Sequence, residues 1–597
     1  MCRTDRGRDN DGMTLDIMVV LVLLLTAMIL FAVEWFSVDV VTWLLLAALV
    51  LTGVLTPGEA FSGFASEIIV VLGSVFVISG ALVKTGVMDW LARLVQRWTR
   101  GRESRLTATI MSISAFASAF FSNTSATALL MPATRKAALA TRIAPGRLLM
   151  PLAYASILGG SCTLIGTSTN MAGSSLMASL GLQPFGVFEF TLAAGAVAIA
   201  GVLYMVTLGR HLIPQREKHE LVDDYGIPDF LSQLLIPDGS PAIGQALGRL
   251  RLSEKDITPV AILRGRQRLK PHGLRKLQGG DLILVRAPRD ALLRFQDASD
   301  FQIESPAVER PADLSIAEAV LTPQSRLIGQ SLKQLDFYRV FGLTVLAIFR
   351  RGHAYPKKID NLPLKVGDVL LLEGATADLE RLQGDRDLWG LMAIEPRQTT
   401  HRQGLWAVAA LGAAVAASAL GVLPMAIAFL LAALALVLGR AITPEQAYQF
   451  VEWRLIVLIG GMTSFGLAMQ KTGAADLLAT SLVDWTQPLG VYATLASLSV
   501  LAVVLTQPMS NAAAVLVLLP VALAAAEVMA VDPRSVAVLV TLSASLSFIT
   551  PLEPASLLVY GPGKYHFRDF MIAGLPLTVI SIALLLLLVP LLWPLQG

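Results

Sequence analysis

Two asparagines set among small and hydroxyl residues are the side chains of this sequence best suited to holding a ligand. Asn123 lies in FSNTSATALLMP (121–132) and Asn511 in MSNAAAVLVLLP (509–520). A carboxamide both donates and accepts hydrogen bonds, and neighbouring hydroxyls do the same. Such a group can hold an anion through its N–H and O–H donors or a cation through its oxygens. The two motifs are 388 positions apart, and other landmarks keep nearly that offset: Thr56-Pro57 with Thr443-Pro444, Lys84-Thr85-Gly86 with Lys471-Thr472-Gly473, Pro132 with Pro520. A long unit is duplicated. No nucleophile with a nearby base and no metal-ligand cluster emerges from the sequence, so an enzyme is not expected.

The elements that must position these asparagines are apolar. The 597 residues are 54% hydrophobic and 15% charged, against roughly 25% charged in soluble domains, which predicts a polytopic α-helical membrane protein. Runs of the length that crosses a bilayer, about 20 residues, fall near 14–33, 38–55, 67–85, 148–181 and 186–209, and again near 404–420, 422–439, 453–471, 534–560 and 570–593. Between the third and fourth runs of each half, residues 104–140 and 489–530 place two apolar arms around the SN motif. This predicts a re-entrant hairpin with its tip inside the membrane, where irregular backbone must line a cavity or be buried in protein. The run at Leu15 to Val33 reads as a span rather than a secretory signal, because no small-residue cleavage site follows it.

Five crossings per half is an odd number, so the halves are expected as inverted repeats. The segments Lys84 to Arg105 and Arg135 to Arg147 carry ten Lys and Arg, whereas 55–66 and 182–187 carry none. The basic segments are therefore expected inside the cell, although Arg3, Arg6 and Arg8 on the N-terminal tail point the other way. A net charge of +3 gives no reason to invoke nucleic acid. With only Cys2 and Cys162, neither a disulfide framework nor a thiolate metal site is available.

Residues 210–402 change character, with charges, prolines and short alternating runs. This stretch also repeats: SPAIGQALGRL (240–250) resembles SRLIGQSLKQL (325–335), PVAILRG (259–265) resembles VLAIFRRG (345–352), and GGDLILV (279–285) resembles VGDVLLLEG (366–374). Each copy reads as a small α+β unit: strand, short helix, strand ending in Arg-Gly, then a Gly-Asp turn into another strand. It contains no GxGxxG fingerprint for a dinucleotide.

A second interruption follows each SN motif by about forty residues. GGSCTLIGTSTN (159–170) breaks the fourth run of the first half, and SFITPLEPAS (547–556), with Pro551 and Pro554, breaks its counterpart. Paired unwound segments facing hairpin tips are how secondary transporters build a site near the membrane midplane. Glu553 has two readings: a functional group at membrane depth, or a solvated carboxylate near Lys564 and Arg568.

These hairpins and interrupted helices resemble the divalent anion/sodium symporter family (solute carrier family 13, citrate-transporter-like) of the ion transporter superfamily. The middle repeats resemble tandem TrkA C-terminal (RCK-C) domains. The likeness covers nearly the whole chain. It implies transmembrane repeats at 1–212 and 403–597, and RCK-C domains at 226–304 and 312–395. It also implies one sodium site using Ser118, Ser122, Asn123 and backbone near Gly166, and a second using Thr506, Ser510, Asn511 and the region of Thr550. The anion would contact Asn123, Thr124 and Asn511, with Thr167 and Pro551 nearby. Ala512 stands where Thr124 has its hydroxyl, and PLEPAS lacks a counterpart of Asn170.

The expected function is sodium-coupled symport of a small divalent anion, sulfate or a di- or tricarboxylate, by a homodimer in the inner cell membrane with the RCK-C domains in the cytoplasm. Those domains would bind a cyclic dinucleotide or another small regulator, or only assist assembly. Two alternatives stay open: a proton-coupled carrier or cation/proton antiporter using Glu553, and a membrane-anchored nucleotide sensor. A potassium channel is not expected, since nothing resembles the TVGYG filter.

Overall fold

The structure, a computed structural model, describes residues 15–33, 35–85, 87, 103–141, 143–214 and 401–595. Between them it describes 229–236, 243–247, 258–264, 267–269, 276–288, 302–304, 314–321, 325–350, 353–355, 359–365, 367–375 and 388–390. The N-terminal tail and most of the basic segment after Lys84, which bear on orientation, lie outside these residues, as do residues 226, 312 and 395 at the expected domain bounds. The chain divides into two compact units, residues 1–216 with 393–597, and residues 217–392.

The first unit is helical. Six of its described helices are long and apolar enough to cross a membrane: Leu15–Val33, Glu67–Lys84, Thr191–Leu212, Trp453–Thr472, Asn511–Val528 and Phe567–Leu592. Of these, Asn511–Val528 is 83% buried and Leu15–Val33 only 22%, so the helix that starts at the second SN motif is central and the first span peripheral. The hairpin stretches are the helix pairs Glu103–Ser118 with Asn123–Ala140 and Val491–Thr506 with Asn511–Val528. The runs at 148–181 and 534–560 are not continuous: Gly146–Gly160 is followed by irregular residues 161–167 and then Ser168–Ser179, and Pro533–Ala544 by 545–553 and then Pro554–Tyr560. The second arm of each hairpin packs on the distal part of the other half's broken helix, Asn123–Ala140 on Pro554–Tyr560 and Asn511–Val528 on Ser168–Ser179.

The duplicated Thr-Pro and Lys-Thr-Gly landmarks meet each other across the halves. Thr56 and Thr443 open the short helices Pro57–Phe61 and Pro444–Phe450 with capping boxes completed by Glu59 and Gln446, and proline suits the first helical position. Lys84 donates to Gln446 Oε1 at 2.6 Å, and Lys471 donates to both Glu59 carboxylate oxygens at 2.9 Å. The Lys471 ammonium, aided by the Thr56 N–H, holds the Glu59 carboxyl down at about 2. Each lysine closes a helix, Glu67–Lys84 or Trp453–Thr472, that runs about 27 or 30 Å at 1.5 Å per residue, and meets the segment preceding the other helix. The two helices therefore run in opposite directions.

Beside these short helices, a longer one lies outside the expected spans and hairpins. Ala474–Thr486 follows Gly473, whose φ of 84° ends the preceding helix in the left-handed region. It is short and carries Asp476 and Asp484, which hides it from a search for spans.

In the second unit the strands β1 Asp229–Leu235, β2 Thr258–Arg264, β3 Gln267–Leu269, β4 Leu282–Pro288 and β5 Gln302–Glu304 form an antiparallel sheet in the order β3-β2-β4-β1-β5. Strands β6 Leu314–Leu321, β7 Thr344–Arg350, β8 His353–Tyr355, β9 Val369–Ala375 and β10 Leu388–Gly390 repeat that order as β8-β7-β9-β6-β10. The register shift between Pro259 and Ala261 recurs between Val345 and Ala347. Sequence reading expects three strands per copy; the extra ones span three residues each, too few for a periodic signal. Short helices Leu332–Leu335 and Phe337–Phe341 follow the second Gly-Gln signature, while residues 248–250 of the first lie outside the described residues.

The repeated Arg-Gly and Gly-Asp motifs form one ion pair per copy. Arg264 binds Asp281 through Nε and Nη2 at 2.8 Å each, and Arg350 binds Asp368 in the same way at 2.7 and 2.6 Å. Each aspartate also accepts a backbone N–H three residues upstream, from Gln278 and Lys365. Burial pushes the Asp281 carboxyl up, but the Arg264 guanidinium and the Gln278 N–H outweigh it and hold the group below the usual carboxylate range. Asp281 therefore adds stability that is present above about pH 4 and lost as pH falls below it. Asp281→Ala is expected to cost this unit about 2 kcal/mol, less than a fully buried pair because the Arg264 side chain is 31% exposed. The check is the denaturant midpoint of the unit's unfolding at pH 7 and at successively lower pH below about 4, across which the gap between variant and parent should narrow.

Candidate functional site

At each hairpin tip a hydroxyl five residues before the asparagine fixes its carboxamide. Ser118 Oγ donates to Asn123 Oδ1 at 2.9 Å, and Thr506 Oγ1 donates to Asn511 Oδ1. With the oxygens held, the amide nitrogens face the second half's break. The Asn123 side chain lies beside the Glu553 carboxyl, and Asn511 Nδ2 donates to Ser547 Oγ at 3.2 Å. The irregular stretch 547–553 thus touches both asparagines, with Thr550 half-buried and Pro551 buried between the two contacts.

Four helices begin here, and each start is capped by a side chain. Ser122 Oγ accepts the Ser125 N–H and donates to Ser125 Oγ; Ser510 Oγ accepts the Ala513 N–H. Thr167 Oγ1 accepts the Thr169 N–H, and Glu553 accepts those of Ala555 and Ser556. Ser122, Ser510 and Thr167, expected to touch ions or anion, therefore serve as caps, a role that satisfies otherwise unpaired N–H groups. Thr124 is half-buried in the first turn beside Asn123, and Ala512 is fully buried. Glu553 itself is half-buried.

The first half contains an oxygen-lined cradle. A Cβ on Gly166 would lie 2.5 Å from Gly160 O, 2.8 Å from Ser118 O and 3.0 Å from Ala119 O; one on Gly160 would lie 2.0 Å from Asn123 Oδ1 and 3.2 Å from Gly166 O. Backbone carbonyls of Ser118, Ala119 and Gly160 thus crowd Gly166, and Asn123 Oδ1 and Gly166 O crowd Gly160, oxygens of the kind that suit a hard cation. The irregular residues 161–167 are pinned in place. Thr163 Oγ1 donates to Ala119 O and accepts the Gly166 N–H, while Asn170 Nδ2 donates to Ser161 O and Thr163 O.

Sequence reading assigned no role to Gly160, Thr163 or Ser547. The 388-residue offset does relate Ser547 to Gly159, beside Gly160, but which atom each would meet depends on the crossing of the halves. That crossing is tied by Arg534, which binds Glu189 through Nε and Nη2 at 2.7 and 2.8 Å and donates to Gln183 O and Pro184 O. Tyr565 ties it too, with its hydroxyl donating to Gly146 O and accepting the Met150 N–H.

The sequence profile described as "Citrate transporter" matches residues 28–543. The transporter YfbS of Escherichia coli is 32% identical over 96% of this chain and 99% of its own length, and a transporter of Synechocystis is 31% identical over 96% and 97%. Sodium/sulfate cotransporter 2 of Chlamydomonas reinhardtii is 24% identical over 44% of this chain and 31% of its own length. The relatives are transporters rather than enzymes. With its apolar helices and a match over most of its length, the chain belongs to the citrate transporter family of multi-pass membrane proteins.

Proposed function

We propose that the protein is a sodium-coupled symporter of a small divalent anion, sulfate or a di- or tricarboxylate. The observation that carries this reading is the paired Ser118–Asn123 and Thr506–Asn511 arrangement beside the carbonyl cradle at Gly160 and Gly166. Amide and hydroxyl donors suit the anion, and oxygens suit the cation. Removing a dianion from water costs many kcal/mol, and sodium beside it offsets that cost while linking uptake to the ion gradient. The name of the sodium/sulfate cotransporter relative agrees with this chemistry.

The reading extends to architecture. The halves act as inverted repeats, a view supported by the opposed Glu67–Lys84 and Trp453–Thr472 helices, and the SN hairpins are re-entrant. The protein works as a homodimer in the inner membrane, and the duplicated α+β unit is a pair of cytoplasmic RCK-C domains that regulate or assemble it.

Thermal unfolding of the purified protein with sulfate, succinate, citrate or phosphate tests the function. One anion is expected to raise the midpoint in sodium and not in choline, reflecting about 2.7 kcal/mol of added stability at a hundredfold excess over its Kd, and sodium is expected to bind more tightly with that anion present. Equal stabilisation in choline and sodium would sink sodium coupling. If the shift followed pH instead, proton coupling through Glu553, which meets Asn123, would replace it.

A further inference from the structure

Beneath the first site lies a second layer of polar contacts. Ser114 Oγ and Ser156 Oγ are 2.7 Å apart, Thr127 Oγ1 donates to Ser156 Oγ at 2.8 Å, and Ser114 and Ser156 both lie 3.1 Å from Leu152 O. All three hydroxyls are fully buried. Every proton has an acceptor: Thr127 donates to Ser156, and Ser114 and Ser156 donate to each other or to Leu152 O. The layer joins three helices, Glu103–Ser118, Asn123–Ala140 and Gly146–Gly160.

Its register matches the site. Ser114 is four residues before Ser118, Thr127 four after Asn123, and Ser156 four before Gly160, so each hydroxyl lies one helical turn, about 6 Å, below a residue of the cradle. At the 388-residue offset the second half carries Ala502, Val515 and Ala544, all buried and apolar. A duplicated unit has thus kept hydrogen bonds beneath one site and close packing beneath the other. Packing alone can hold a hairpin in place, as the second half demonstrates, so the first-half layer supplies something further. A hydrogen-bonded layer fixes distances between helices, because a buried hydroxyl that loses its partner is penalised.

We propose that Ser114, Thr127 and Ser156 are positioning residues for the sodium ion of the first site, setting the spacing between Ser118, Asn123 and the Gly160 carbonyl. The inference rests on the sodium-coupled reading above. Thr127 is the decisive member, since it is the hydroxyl through which the asparagine-bearing arm joins the layer, and Ser156 keeps a donor and an acceptor without it.

Equilibrium binding of radioactive sodium to the purified full chain tests this. Thr127→Val keeps the shape of the side chain and removes the donor. It is expected to raise the half-saturating sodium concentration about fivefold, the effect of one neutral hydrogen bond, with the number of sites per chain unchanged. Thr127→Ser is expected to restore the parent value. Ser114→Ala, which leaves the Thr127–Ser156 bond in place, is expected to act in the same direction and is read in the same way if Thr127→Val does not fold. A loss of sites at unchanged half-saturation would mark a structural role only and overturn the proposal, as would unaltered sodium binding in the variants. If the parent protein binds no sodium, the transport reading fails and this inference fails with it; sodium binding that the variants leave unchanged overturns this inference alone.

Discussion

Gly160→Ala is expected to lower sodium-dependent anion uptake by about a hundredfold while the protein still reaches the membrane. The added Cβ would lie 2.0 Å from Asn123 Oδ1 and 3.2 Å from Gly166 O, the first far inside van der Waals contact. Relief requires the carboxamide to retreat by about an ångström, and a displacement of that size at a positioned group costs on the order of a hundredfold. The retreat would also strain the Ser118 hydrogen bond and the contact with Glu553. Gly195 is the control. It lies in the Thr191–Tyr204 helix with nothing within 4 Å of its added Cβ, so Gly195→Ala is expected to leave uptake unchanged and to favour the helix slightly. Uptake into proteoliposomes holding equal amounts of each protein gives the comparison, and parent-like activity in Gly160→Ala would remove the cradle from the mechanism.

Much of the frame around this site is legible in the sequence because the chain contains its own alignment. Two SN motifs at a fixed offset locate both asparagines, and a hydroxyl one turn earlier locates Ser118 and Thr506. The same offset finds the Thr-Pro and Lys-Thr-Gly landmarks. It does not show that Lys84 meets Gln446 while Lys471 meets Glu59, since that reciprocity arises from how the halves cross. The partners of the asparagines are hidden for the same reason. Nothing in SFITPLEPAS marks Ser547 for Asn511 and Glu553 for Asn123 until the break is folded between the two tips. Helix caps are hidden as well. Ser122, Ser510 and Thr167 have the chemistry of ligands, and in the fold they also satisfy N–H groups of helices that begin inside the protein. Short elements escaped because three-residue strands and the Ala474–Thr486 helix lack the length on which periodicity depends.

The two asparagines should not be equivalent, and the difference is expected to be large. Asn123→Ala removes a polar neighbour of the Glu553 carboxyl and the acceptor of Ser118, whereas Asn511→Ala removes a donor to the Ser547 hydroxyl and the acceptor of Thr506. A neutral hydrogen bond contributes about 1 kcal/mol, and Asn123 alone also sets its Oδ1 against Gly160 in the cradle. Asn123→Ala is therefore expected to reduce uptake about a hundredfold and Asn511→Ala about tenfold at the same sodium concentration. The assignment of cause needs a double-mutant cycle with Glu553→Gln, which retains an oxygen to cap the Pro554–Tyr560 helix. Asn123 and Glu553 should show a coupling energy of at least about 1 kcal/mol, and Asn511, whose hydrogen bonds go to Thr506 and Ser547, about 0.5 or less with Glu553. Equal losses for the two alanine variants, or equal coupling of both to Glu553, would mean that the halves share the ligand evenly. Unequal values would place the heavier electrostatic demand on the first hairpin, where the carboxamide meets a carboxylate from the opposite half within one turn of the carbonyl cradle.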